Sequence, residues 1–102
     1  MTVEELKAKL DAGDAPVLLD VREAFELGIA AFPMPVVHIP MGALAARHAE
    51  LPKDAPIVCA CRSGSRSAQA AQFLRQRGYD AVNLEGGILA WSRNIDPLVP
   101  QY

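Results

Sequence analysis

Apolar and polar residues along this chain follow two periodicities, which predict helices and strands in alternation. An apolar stripe at helical spacing begins at Val3, and Thr2 with Glu5 fits a capping box. We therefore predict a first helix over residues 3–12 that stops at Gly13. Continuous apolar runs of strand length follow, and the first has the pattern of a parallel strand that is covered on both faces. The predicted strands are residues 16–21, 36–39, 57–60 and 80–84.

The segments between the predicted strands are helical in pattern or rich in loop-forming residues. Prolines predict a loop over residues 29–35 and an extended surface tail over residues 94–102, and residues 85–87 form a predicted tight turn. Strands that alternate with helices predict an α/β fold, with a mainly parallel sheet flanked by helices on both faces. The predicted helices are residues 23–27, ended by Gly28, residues 41–49, a helix from about Ser65 or Arg66 to Gln76, and one that begins at Ile88.

The composition fits one globular domain over residues 1–102. The chain is 51% hydrophobic and 22% charged, and its net charge of −2 argues against general binding of nucleic acid or membrane surfaces. No apolar run is long enough to cross a bilayer, and the first residues lack the basic region and apolar core of a secretory signal. With only two cysteines, a disulfide-rich secreted scaffold is not expected, so we predict a cytoplasmic protein.

One basic segment of this acidic protein contains a cysteine in a reactive setting. From Cys61 to Tyr79 the chain has four arginines and no acidic residue, which predicts an anionic substrate. Cys61 follows a predicted buried strand and precedes a turn of small residues and a predicted helix. The free N–H groups and partial positive charge of a helix N-terminus favour the thiolate, which is the nucleophilic form of cysteine. Backbone N–H groups of residues 62–66 can surround this sulfur as a concave nest, so the sequence predicts an active site here.

Three segments of the chain resemble the signatures of the rhodanese domain family of sulfurtransferases. They are Leu-Asp-Val-Arg-Glu at residues 19–23, Cys-Arg-Ser-Gly-Ser-Arg-Ser at residues 61–67 and Leu-Glu-Gly-Gly-Ile-Leu-Ala-Trp at residues 84–91. They occur in the order and at the intervals of that family, and they extend over almost the whole chain. One segment departs from the family pattern: Ala30 to Pro35 occupy the interval where the family commonly has Gly-His-Ile-Pro-Gly-Ala. The resemblance implies a single rhodanese-like domain.

The resemblance also implies an activity and a set of site residues. Cys61 would accept a sulfane sulfur atom from an anionic donor such as thiosulfate, and a thiophilic acceptor such as cyanide or a thiol protein like thioredoxin would remove it. No metal, organic cofactor, nucleic acid or membrane is expected to take part. Residues assigned to binding the donor and cradling the sulfur are Arg62, Ser63, Gly64, Ser65 and Arg66. Residues assigned to supporting the loops are Asp20, Arg22 and Ser67.

Arg66 has two predicted roles, which the sequence does not separate. At the start of a helix it can hold an anion, or it can brace the loop against a carboxylate. Asp20 and Arg22 can likewise touch the substrate, but charge-assisted hydrogen bonds that hold the loops at the edge of the sheet are the favoured interpretation. Gly64 is expected to adopt a backbone conformation that is closed to other residues.

Two other functions are compatible with this fold. Dual-specificity phosphatases also use a cysteine and an arginine, but their loop has one residue more than the four that Cys61 and Arg66 enclose. The tighter loop suits a single sulfur atom better than a phosphoryl group, and Ala60 stands where tyrosine phosphatases usually have histidine. Non-catalytic rhodanese-like interaction modules lack the cysteine, so the presence of Cys61 argues against that function. Sulfur relay to a protein partner stays compatible with catalysis.

The second cysteine and the two histidines are assigned structural roles. Cys59 is predicted to be a small buried residue of its strand, because a disulfide with Cys61 across so short a loop is strained. His38 alternates with apolar residues of a strand and His48 lies on a predicted exposed helix, so neither is expected beside the nucleophile. Trp91 is predicted to anchor the core or to line the mouth of the active site.

Overall fold

The four predicted strands form one parallel sheet in a computed structural model that describes residues 1–102. They are β1 (Val17–Asp20), β2 (Val37–His38), β3 (Ile57–Ala60) and β4 (Ala81–Asn83), in the order β2-β1-β3-β4. All neighbouring strands pair in parallel. The register sets Asp20 opposite Ala60, so the two central strands end side by side at the carboxyl edge of the sheet. This edge is where α/β proteins place their ligands.

Five α-helices surround the sheet. They are α1 (Val3–Asp11), α2 (Ala24–Ile29), α3 (Leu44–Arg47), α4 (Ser65–Arg75) and α5 (Gly87–Asn94). The predicted capping box of α1 is present: the Thr2 side chain accepts a hydrogen bond from the Glu5 N–H, and the Glu5 carboxylate accepts one from the Thr2 N–H. None of the helices has the length and apolar character that a membrane crossing requires.

Two hydrophobic cores, one on each face of the sheet, hold the helices in place. Ile57 and Cys59 of β3 pack into one core with Leu74 of α4, whereas Val58 packs into the other core with Ile88 of α5. The same alternation sends every second residue of a strand to the same face. Because both faces are covered, the prediction of a parallel α/β sheet with helices on both sides is confirmed.

Several predicted boundaries differ from the structure, and strands β1 and β4 are each one residue shorter at both ends than predicted. Helix α2 continues through Gly28 to Ile29, because Arg22 donates hydrogen bonds to the carbonyl groups of Glu26 and Ala30 at the end of that helix. The predicted helix over residues 41–49 is α-helical only in its centre, and it tightens into 3₁₀ turns at Met41–Ala43 and His48–Glu50. Strand β2 is shorter than predicted and contains two residues, between the prolines at positions 35 and 40.

The last residues fold back onto the domain. The sequence predicts an extended surface tail over residues 94–102, but Asn94 is the last residue of α5 and the chain turns after it. Val99 is buried, and its carbonyl group accepts a hydrogen bond from the buried Ser92 hydroxyl. This anchor returns Tyr102 to the carboxyl edge of the sheet, where it contacts Arg62.

Candidate active site

The predicted nucleophile lies where β3 ends and the turn to α4 begins. The Val21 N–H donates to the Ala60 carbonyl group over 3.0 Å, which continues the pairing of β1 and β3 up to the residue before Cys61. Cys61 is fully buried, and its side chain packs against the core beneath α4. The turn from Cys61 to Gly64 therefore connects a rigid central strand to a helix N-terminus.

Two hydrogen bonds converge on the sulfur atom of Cys61. The Gly64 N–H donates to Cys61 Sγ over 3.1 Å, and the Ser67 hydroxyl donates to it over 3.3 Å. Burial acts to raise the pKa of the Cys61 thiol, because a thiolate is poorly solvated in the interior. These two hydrogen bonds, together with the nearby backbone N–H groups of Ser67 and Arg66, outweigh the effect of burial, so the pKa of Cys61 lies below its ordinary value. These donors therefore favour the thiolate form of Cys61, which is the nucleophilic form of the residue.

Gly64 has the unusual backbone conformation that the turn requires. It precedes the first residue of α4 with φ of +102°, in the left-handed region. A Cβ atom at this position would lie 3.2 Å from the Gly86 backbone nitrogen and 3.4 Å from the Leu84 carbonyl oxygen. Glycine therefore lets the turn direct its own N–H toward Cys61 while it packs against the chain before α5.

The N-terminus of α5 supports the same turn from the other side. The Ile88 N–H donates to the Cys61 carbonyl group over 3.0 Å, and the Leu89 N–H donates to the Arg62 carbonyl group over 3.1 Å. Gly87 has φ of +57°, and a Cβ atom there would lie 2.5 Å from both of these carbonyl oxygens. The predicted tight turn at residues 85–87 thus positions the active-site turn. The sequence did not reveal this role.

Asn83 is a further residue of the site that the sequence analysis missed. Its side-chain amide donates to the Gly64 carbonyl group over 3.1 Å, and its Oδ1 accepts a hydrogen bond from Ser67 Oγ over 2.6 Å. Asn83 therefore connects the turn to the helix that follows it. The available signal was its place at the carboxyl end of a predicted strand next to the strand of the nucleophile.

Arg66 braces the turn against a carboxylate. Its two Nη atoms donate to the two oxygens of Glu26 over 2.7 and 2.8 Å, and the Glu26 side chain is 7% exposed. The hydrogen bonds from Arg66 are the largest influence on Glu26, and they lower the pKa of its carboxyl group to about 2. Of the two predicted roles of Arg66, the structure contains the brace, and Glu26 is the partner that the sequence analysis did not identify.

Asp20 and Arg22 form a buried pair beneath the site. The Arg22 guanidinium donates to both carboxylate oxygens of Asp20, with 2.7 Å between Nη2 and Oδ2, and neither side chain is more than 1% exposed. Arg22 also reaches the Ala30 carbonyl group over 2.9 Å and the Tyr102 hydroxyl over 2.9 Å. The pair therefore joins β1, the end of α2 and the tail.

The remaining residues of the turn face the outside. Arg62, Ser63 and Ser65 are exposed, and Arg62 Nε donates to the Tyr102 carbonyl group. The Tyr102 hydroxyl in turn donates to Glu26 Oε1 over 2.9 Å. Arg62 is thus the exposed cation at the start of the turn, and a tail residue holds its side chain.

The other residues singled out from the sequence lie away from the sulfur of Cys61. Cys59 is a fully buried residue of β3, as predicted, and its burial raises the pKa of its thiol to about 12. His38 Nε2 lies 2.6 Å from the Arg22 carbonyl oxygen, and His48, which is half-buried rather than exposed, lies 3.0 Å from the Tyr79 hydroxyl. Trp91 is a buried core residue, as predicted.

Comparisons with known proteins found relatives of similar sequence and similar fold. A family model described as a rhodanese-like domain matches residues 2–94. A sulfurtransferase of Allochromatium vinosum is 40% identical over 97 residues, which cover 94% of this chain and 90% of the relative. A crystal structure of a rhodanese-related protein from Thermoplasma volcanium superimposes with a TM-score of 0.86 at 32% identity, over 100% of this chain and 97% of the other. The human single-domain sulfurtransferase TSTD1 gives a TM-score of 0.78 at 28% identity, over 92% and 95% of the two chains.

Proposed function

This chain belongs to the rhodanese-like domain family, two of the relatives named above are sulfurtransferases, and we propose that its Cys61 carries the transferred sulfur atom as a persulfide. The proposed donor is thiosulfate or a persulfide, and the proposed acceptor is cyanide or a thiol, including the thiol of a protein such as thioredoxin. The observation that carries this proposal is the sulfur of Cys61, which accepts hydrogen bonds from Gly64 and Ser67 and has a lowered pKa.

In the first half-reaction the Cys61 thiolate attacks the outer sulfur atom of the donor. A new sulfur–sulfur bond forms at Cys61, the sulfur–sulfur bond of thiosulfate breaks, and sulfite leaves with the bonding electron pair. The exposed Arg62 guanidinium is placed to attract the anionic donor. No proton has to be transferred in this step, so the absence of a histidine beside Cys61 is consistent with the chemistry.

In the second half-reaction the acceptor attacks the outer sulfur of the persulfide. With cyanide a carbon–sulfur bond forms, the sulfur–sulfur bond to Cys61 breaks, and the thiolate returns with its electron pair while thiocyanate leaves. Backbone N–H groups of the turn stabilise the negative charge on the sulfur in both states. The Gly64 N–H supports this role, because it already donates a hydrogen bond to the sulfur of Cys61 before a substrate binds.

The phosphatase alternative is not favoured. A phosphatase of this fold needs the arginine of its loop to hold the phosphoryl group. Here both Nη atoms of Arg66 are already bonded to Glu26, and the turn encloses one residue fewer than a phosphatase loop. These contacts leave Arg66 as a brace and favour a substrate whose reacting group is a single sulfur atom.

Incubation with thiosulfate, followed by intact-mass measurement, tests the proposal. The native chain should gain the mass of one sulfur atom, and cyanide should remove that atom and release thiocyanate. The Cys61→Ser variant should neither gain the mass nor turn over, whereas Cys59→Ala should do both at the native level, because Cys59 is buried and its thiol remains protonated.

Circular dichroism of the variants establishes that each retains the native fold. Sulfur transfer by folded Cys61→Ser, or addition of sulfur at Cys59 in the native chain, would overturn the assignment of Cys61 as the carrier. Hydrolysis of p-nitrophenyl phosphate faster than any sulfur transfer would instead restore the phosphatase alternative.

A further inference from the structure

Tyr102 connects the two sides of the active-site turn. On one side its carbonyl group accepts a hydrogen bond from Arg62 Nε, and the Arg62 guanidinium lies 5.1 Å from the centre of its ring. On the other side its hydroxyl donates to Glu26 Oε1, the same oxygen that accepts a hydrogen bond from Arg66 Nη2. Arg62 and Arg66 both belong to the segment that cradles Cys61, so Tyr102 is tied to it at two points, directly at Arg62 and through Glu26 at Arg66.

The interior anchor of Tyr102 is Arg22. Its guanidinium donates to the Tyr102 hydroxyl over 2.9 Å, and the same group lies 5.8 Å from the centre of the tyrosine ring. Arg22 is itself fixed by its buried pairing with Asp20. The ring of Tyr102 therefore lies close to both a buried and an exposed guanidinium, a favourable arrangement for an aromatic ring.

The sulfur of Cys61 has no open path to solvent in this arrangement. Cys61 has 0% exposure, and the one cleft in the structure, of about 280 Å³, is at the opposite edge of the sheet, where Pro16 and Pro56 precede β1 and β3. A donor must reach the outer side of Cys61 Sγ to react. Some part of the surface around the turn therefore has to move before a substrate can bind.

We propose that Tyr102 is a specificity-determining residue, which closes the entrance to Cys61 and selects donors and acceptors by size. The inference rests on the proposed function for the chemistry of these substrates. Tyr102 is suited to the task because it is only partly buried and is held by a few side-chain contacts, to the buried Arg22, to Glu26 and to the exposed Arg62. Displacement of its ring opens the entrance and leaves the turn itself in place, since Gly87, Ile88 and Asn83 hold the turn separately.

Alkylation of Cys61 by two reagents of different size tests this selection without any sulfur transfer. Iodoacetamide is the small reagent and monobromobimane the bulky one, and peptide mass mapping confirms that the product is on Cys61. Rates are taken at the alkaline plateau, where the thiol is fully ionised, so that a change in pKa does not enter the comparison. Tyr102→Ala should raise the rate of the bulky reagent about tenfold more than that of the small one, if the wide opening that the bulky reagent needs is about one-tenth as populated in the native chain as the smaller displacement that admits the small reagent.

Two further variants locate the effect. Tyr102→Phe keeps the ring and the carbonyl contact but loses the hydrogen bonds to Arg22 and Glu26, so its rates should lie between those of the native chain and Tyr102→Ala. Tyr79→Phe removes a tyrosine hydroxyl that bonds to His48 instead, and it should leave the ratio of the two rates unchanged. Thermal unfolding establishes that each variant is folded.

The inference would be overturned if the ratio of the two rates in Tyr102→Ala equalled that of the native chain, whether both rates stayed the same or both rose equally. Failure of the proposed function has a different signature. In that case thiosulfate leaves no sulfur on Cys61 of the native chain, while the two alkylation rates still report whether Tyr102 limits access.

Discussion

The hydroxyl of Ser67 lies 3.3 Å from the sulfur of Cys61 and 2.6 Å from Oδ1 of Asn83. A hydroxyl group has one proton, so Ser67 can donate fully to only one of these acceptors at a time. Ionisation of Cys61 favours the sulfur, because hydrogen bonds to charged acceptors are stronger than those to neutral ones. When the thiol is neutral, the Ser67 hydroxyl donates to Oδ1 of Asn83, which fixes its orientation. When the thiolate forms, the hydroxyl can rotate and donate to the sulfur of Cys61 instead.

Ser67→Ala should raise the pKa of the Cys61 thiol. The Ser67 hydroxyl is the largest of the hydrogen-bonding influences that lower this pKa, so its loss leaves burial less opposed. The pH profile of alkylation by iodoacetamide should move to higher pH, and the rate at the alkaline plateau should stay the same. Ser65→Ala, which removes an exposed hydroxyl of the same helix turn, is the control and should not move the profile. A native profile in Ser67→Ala would show that the backbone N–H groups alone determine the pKa.

Glu26 should make the fold sensitive to acid. Its pKa is about 2 in the folded chain and near the ordinary 4.5 when unfolded, so the unfolded chain binds the proton more readily. Glu26 therefore contributes stability above pH 4.5, about 3 kcal/mol by linkage, which is lost as the pH falls from 4.5 toward 2. Urea unfolding at a series of pH values measures this contribution.

Glu26→Gln should lower stability at neutral pH and flatten its dependence between pH 4.5 and 2. Glu50→Gln is the matched control, because Glu50 forms the same two-bond pairing with Arg47 but at an exposed position. Its stability curve should follow the native one closely, since exposed ion pairs contribute little. Equal slopes for native chain and Glu26→Gln would refute the buried brace.

Gly87→Ala should disrupt the active-site turn more than a glycine replacement elsewhere. A left-handed conformation costs alanine about 1–2 kcal/mol, and this strain is common to Gly87 and the control Gly13, which has φ of +73°. At Gly87 the new Cβ would also lie 2.5 Å from the carbonyl oxygens of Cys61 and Arg62, whereas at Gly13 nothing lies within 4 Å. Overpacking of this kind adds about 1–3 kcal/mol.

The free energy of unfolding in urea and the alkylation rate of Cys61 are the measurements for this pair of variants. Gly87→Ala should lose more stability than Gly13→Ala, and it alone should change the reactivity of the thiol. Similar losses in both variants, with unchanged reactivity, would mean that the turn can shift away from α5 without consequence for the site.

Features that depend on a few neighbouring residues could be predicted from the sequence. The capping box of α1 is a local exchange of hydrogen bonds between Thr2 and Glu5, and strand β3 is a short apolar run with fixed ends. The position of Cys61 at the carboxyl edge also followed, because parallel strands in an α/β sheet bring their ends to one side. Local pattern was sufficient for each of these.

Contacts between distant segments could not be predicted in the same way. Glu26 pairs with a residue 40 positions away, and Tyr102 reaches Arg22 over 80 positions. No short window of sequence contains both partners of these bonds, so their residues appeared in the sequence only as ordinary polar side chains.

The two cysteines of this chain differ in chemistry although they lie two residues apart and face the same core. The pKa of Cys59 is raised to about 12, whereas that of Cys61 is lowered from 9.0, which makes the ionised fraction at neutral pH at least about a thousandfold larger for Cys61. Peroxide and other electrophiles react with the thiolate, so oxidation of cysteine should be confined to Cys61. Cys59 is the unreactive thiol of the pair, so a thiol reagent should label the chain at Cys61 alone, with both cysteines in place.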